Sequence, residues 1–97
     1  EVKSMHIQVV SIYFHIPYAQ SLKDKRRVVK SLKEKTRYHY NISIAETDYQ
    51  DHLYEGELSF VHIATSRAQL GSLSDKVVNV FEAHSDIEIF DIEKSFI

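Results

Sequence analysis

Eight of the chain's twelve Lys and Arg residues fall between Lys23 and Arg37, where the only acids are Asp24 and Glu34. That segment carries about +6 and the rest of the 97 residues about −8, although the whole chain sums to −2. Cations at that density are the chemistry of phosphate binding, in which every contact adds salt dependence. The alternative is a solvated helix face balanced by the protein's own acids, which crowd into Glu46 to Glu57 and Glu82 to Glu93 without an intervening base. Lys23, Lys25, Arg26, Arg27 and Lys30 are the candidates for contact with nucleic acid, and Tyr13 is the candidate aromatic for stacking a base.

Other chemistries find less support. His6, His15, His39, His52, His62 and His84 show none of the paired spacings of zinc sites, although His15 and His62 would approach across neighbouring strands in a favourable register. There is no cysteine, so disulfides, thiolate metal sites and cysteine nucleophiles are excluded. Two glycines cannot build a phosphate loop, a dinucleotide turn or a nucleophile elbow. No catalytic residue, metal or cofactor is expected.

Ninety-seven residues suit one domain, and 43% hydrophobic with 27% charged residues suits a soluble globular protein. Residues 1–4 precede the only methionine and read as a cloning remnant or a disordered N-terminus, leaving a domain at 5–97. No secretory h-region or membrane-length apolar run occurs, so a soluble, cytoplasmic protein is expected.

From His6 to Ile16, Val10, Ile12, Phe14 and Ile16 alternate with Ser11, Tyr13 and His15, the pattern of a strand with one apolar face. Ser21 and Asp24 form a capping box that opens a helix. Its apolar stripe, Leu22, Val28, Val29, Leu32 and Thr36, would lie on the sheet. Asn41 opens a second strand through Asp48, and Glu57 to Thr65 forms a third. Ser66 or Ser72 caps a second helix with a stripe at Leu70, Leu73, Val77, Phe81 and His84, a packed terminus. In the last strand the alternation slips phase near Ile89 and Phe90, which predicts a bulge.

The order β-α-β-β-α-β predicts an α+β, ferredoxin-like sandwich: a four-stranded antiparallel sheet in the order 4-1-3-2 with two helices on one face. The uncovered face would carry Tyr13 and serve as a base-stacking platform, a homodimer interface or a plain exposed surface. LSFVHI from Leu58 only faintly echoes the RNA-recognition consensus, since Glu55 and Glu57 stand where that motif is basic or glycine. Acylphosphatase shares the topology, but IPYAQSLKDK lacks its glycine cradle. Glu46, continuing the alternation of Ile42 and Ile44, should point inward and require a cation, for which Lys25 or Arg26 is the candidate ion-pair partner.

SLKDKR from Ser21 to Arg26 and NISIAE from Asn41 to Glu46 resemble the YlxP-like family, bacterial domains of unknown function, and the likeness extends from about Met5 to the C-terminus. Many relatives carry tryptophan where this chain has Leu53. The resemblance implies a ferredoxin-like fold and a bacterial cytosolic protein. It also implies a role near RNA or the ribosome, because members are often encoded beside transcription, translation-initiation and ribosome-maturation factors. No catalytic residues are established for the family. The expectation is a small binding protein that contacts ribosomal or precursor RNA through its basic first helix. The alternative is a homodimeric interaction or regulatory module, joined through the sheet face, with no nucleic-acid role.

Overall fold

Alternation sets the strands and capping sets the helices. The computed structural model describes residues 5–97; the reading of residues 1–4 lies outside them. The elements are β1 (His6–His15), α1 (Leu22–His39), β2 (Ser43–Asp48), β3 (Glu55–Ala64), α2 (Arg67–Glu82) and β4 (Glu88–Phe96). They form one antiparallel sheet in the order β2-β3-β1-β4, the ferredoxin-like arrangement expected from the sequence.

Every second residue of β1 faces the helices. Val10, Ile12 and Phe14 are fully buried there and form one core with Leu58 and Phe60 of β3, Val29 and Leu32 of α1, and Val77 and Phe81 of α2. The side chain of Ser21 caps α1 by accepting the Asp24 N–H at 3.1 Å, and Asp24 accepts the Gln20 N–H in return at 3.1 Å. Ser66, rather than Ser72, caps α2, and Gly71 lies inside that helix. Leu53 packs against the core, while Tyr54 is exposed. His84 lies just beyond α2, half-buried, and its Nδ1 accepts the Asp86 N–H at 3.2 Å.

Two strands start elsewhere than the sequence reading places them, and β1 and β3 each end one residue earlier, at His15 and Ala64. β3 begins at Glu55, because Glu55 and Gly56 pair with His15 and Phe14. β2 begins at Ser43, because Asn41 and Ile42 have no ladder partner. The phase slip in β4 is a bulge: Tyr13 faces Asp91 and Phe14 faces Ile89, leaving Phe90 as the extra residue. A second bulge, at Thr47, interrupts β2.

Two buried features depend on close approach. Gly56 lies under the Phe14 ring, and a Cβ there would stand 2.6 Å from two of its carbons. The His62 ring is buried beside Phe60, and its Nε2 lies 2.8 Å from Gln8 Oε1, so the neutral Nε2–H tautomer donates to the amide oxygen. Burial lowers the His62 pKa from 6.5.

Gly56→Ala should destabilise the protein by about 1–3 kcal/mol in chemical denaturation, since a buried ring must move. Gly71→Ala, which meets nothing within 4 Å, should stabilise it by about 0.5–1 kcal/mol. For His62, the unfolded state binds the proton more readily, so stability falls as pH drops below about 7 towards the depressed folded pKa. Denaturation midpoints measured from pH 7 to pH 5 should therefore decline less in His62→Gln than in the parent.

Candidate nucleic-acid interface

Helical geometry distributes the α1 cations over different surfaces. Arg26, Lys30, Lys33 and Arg37 recur at intervals of four, three and four residues and therefore share one side of the helix, over a length of about 16 Å. With Val29, Glu34 and Glu46 they line a groove of about 430 Å³ between α1 and the sheet-edge strand β2. Lys30 approaches Glu34 at 3.9 Å. Among the described residues, no ion pair engages Arg26, Lys33 or Arg37.

The other candidates lie elsewhere. Lys23 is exposed and lies outside the groove. Arg27 turns away from β2 to Asp24, 4.0 Å distant, and lines a separate pocket against the α2–β4 connection. Lys25 must be withdrawn as a nucleic-acid contact because its side chain is 1% exposed. Its ammonium donates to the carbonyl oxygens of Tyr49 and His52, the latter at 2.6 Å, and lies 3.7 Å from Glu46 Oε2. Glu46 therefore does point inward as expected, and of its two candidate partners it is Lys25 that it meets. Burial lowers the Lys25 pKa and the Glu46 charge opposes that shift.

Tyr13 lies on the opposite, uncovered face of the sheet. Its hydroxyl donates to Glu93 at 3.3 Å, and its pKa is raised to about 12, first by hydrogen bonding to Glu57, then by partial desolvation and by the Glu57 and Glu93 charges. The strand register places Glu55 and Glu88 on either side of His15, Glu57 and Asp91 on either side of Tyr13, and Glu93 beside Ser11. No Lys or Arg stands among the described residues of that face. Ser11, Ser59 and Thr47 join into a hydroxyl chain, with 2.7 Å between successive hydroxyl oxygens, and Thr47 donates to Glu57 at its end. Phe90 stacks on His15 at 4.3 Å between ring centres. The rings therefore sit in a field that repels phosphate, and Tyr13 is withdrawn as a partner of the α1 cations.

The bulge at Thr47 escaped the sequence reading because β2 ends one residue later, at Asp48, before a shifted alternation can develop. His15 and His62 do not meet: His62 pairs with Gln8, seven residues along β1, and faces the core rather than the open face. Among the described residues, no three His, Asp or Glu side chains gather closely enough to hold a metal ion. Among the described residues, no helix is long and apolar enough to cross a membrane.

A family model described as a protein of unknown function, DUF503, matches residues 7–94. An uncharacterised protein of Bacillus subtilis strain 168, YlxP, is 30% identical over 70 residues, covering 72% of this chain and 76% of that protein. Among solved structures, the de novo designed protein Foldit4 aligns with a TM-score of 0.55 at 14% identity, covering 92% of this chain and 96% of that one, a likeness of fold alone.

Removing Lys25 leaves two carbonyls and a carboxylate without their cation, so Lys25→Met should cost about 3 kcal/mol of unfolding free energy. Glu46 retains some contact with water, and Glu46→Gln should cost only about 1 kcal/mol. Equal losses in the two variants would show that the carbonyl contacts contribute nothing.

Proposed function

The chain belongs to the DUF503 family, and for this member we propose binding of structured RNA, ribosomal or precursor, through the groove between α1 and β2. The observation that carries this reading is the alignment of Arg26, Lys30, Lys33 and Arg37 along one groove wall, with Glu46 already engaged by Lys25. Four cations spaced over about 16 Å match a run of backbone phosphates rather than a single anion. No aromatic ring lines the groove, so affinity there comes from the phosphate backbone and its dependence on base sequence is weak. A cytoplasmic setting belongs to this reading.

A second reading, a homodimer without a nucleic-acid role, draws on the other end of the open face. There Ile7, Val9 and Val61 are half-buried and Ile63 is 57% exposed, an aliphatic patch that association would cover. The carboxylates around Tyr13 oppose overlay of the whole face on its copy.

RNA crosslinked to the protein in its own cells should be enriched in ribosomal or precursor species. A folded variant with Arg26, Lys30, Lys33 and Arg37 changed to Ala should lose that enrichment. With a purified hairpin RNA, the slope of log K against log salt should be about −3 for four phosphate contacts and should approach zero in the variant. Background-level RNA with both proteins overturns the proposal, and a concentration-dependent dimer in its place favours the second reading.

A further inference from the structure

The chain between β1 and α1 does not simply turn. Two of its own residues, Ile16 and Ala19, are buried, and with half-buried Val28 they line a pocket of about 220 Å³ against the α2–β4 connection. Tyr18, 82% exposed, stands at the wall, and Asp24, Arg27 and Asp86 supply the polar groups. The pocket is separate from the α1–β2 groove and shares no lining residue with it.

The three polar groups differ in what remains free. One Asp24 oxygen is committed to the Gln20 N–H in the helix cap. The Arg27 guanidinium, 4.0 Å from the other Asp24 oxygen, is too distant for a close hydrogen bond and largely solvent-exposed. Among the described residues, the Asp86 carboxylate accepts no hydrogen bond and forms no ion pair. The site therefore offers an apolar lining with one tyrosine ring, a forked donor and a free double acceptor.

We propose that this pocket binds a guanine base. Guanine presents two acceptors, O6 and N7, on one edge, the pair that an arginine fork addresses. Its neighbouring edge presents N1–H and the N2 amino group, two adjacent donors suited to one carboxylate, here Asp86. Tyr18 stacks on the ring and Ile16, Ala19 and Val28 receive its far side. Uracil has one N–H between two carbonyls, and a carboxylate opposes one of those carbonyls wherever it meets the N–H. Adenine has no donor at N1. The base could come from a free nucleotide or from an unpaired position in RNA, and the RNA form of the inference rests on the groove reading given above.

The test is titration of the ¹⁵N-labelled full chain with guanosine, adenosine and uridine monophosphates, followed by amide shifts. Guanosine monophosphate should give saturable shifts at Ala19, Val28 and Asp86, and uridine monophosphate none there. Tyr18→Ala and Asp86→Asn, both surface changes whose spectra report folding directly, should each weaken guanosine binding by about fivefold or more. Pocket shifts that are absent, equal for uridine, or unchanged in both variants overturn the inference. RNA hairpins carrying guanine or uracil in the loop then separate the sources: a fivefold preference for the guanine loop, lost in Tyr18→Ala, assigns RNA, and no preference assigns the free nucleotide. Because the groove variant is not used, failure of RNA to bind at all would overturn the groove reading while the mononucleotide response still decided the pocket.

Discussion

A lysine ammonium shut away from water must be given acceptors, and the placement of α1 follows from where Lys25 finds them. Two are carbonyls of the turn between β2 and β3, and the third is the Glu46 carboxylate on β2. One cation thus fixes three separate pieces of chain: the first turns of α1, the end of the edge strand and the connection that follows it. The arrangement is costly to desolvate and equally costly to disturb, because each acceptor is oriented towards that one charge. It also determines which α1 residues remain outside. With Lys25 turned inward, Arg26 and the residues that follow it at helical intervals must run along the β2 edge.

The sheet separates two opposite fields. On the helix side, the exposed stripe of α1 is cationic; on the uncovered side, five carboxylates surround Tyr13, His15 and Phe90. The small net charge of the chain conceals both surfaces, and a charged partner approaching either one meets a local sign the total does not reveal. The same carboxylates raise the Tyr13 pKa, since the phenolate would form against Glu57 and Glu93.

The elements were legible in the sequence because each has its own period. Val10, Ile12 and Phe14 announce β1, the Ser21 and Asp24 box announces α1, and the slip at Phe90 announces the bulge in β4. The inward direction of Glu46 was legible for the same reason. Its partner was not, because Lys25 and Arg26 are neighbours in sequence but about 100° apart around a helix, and only the packed position of α1 decides between them. The same rotation sends Arg26 to the groove and Arg27 to the pocket at the β1–α1 turn. That pocket is assembled from segments about sixty residues apart, Ile16 to Val28 and Asp86, and no spacing within one element encodes it.

Both bulges fall on the outer strands, Thr47 on β2 and Phe90 on β4, while the ladder between β1 and β3 runs without interruption. An outer strand has a row of backbone donors and acceptors that another molecule's strand can continue, the first step towards a polymer. A bulge breaks the even spacing of that row and increases local twist, so a regular strand cannot align along its length. β2 adds to this by being short, at six residues, and by exposing Asp48 at its end. The irregularities that position Thr47 and Phe90 on the open face thus also keep neighbouring copies from extending the sheet at either side, a protection against aggregation.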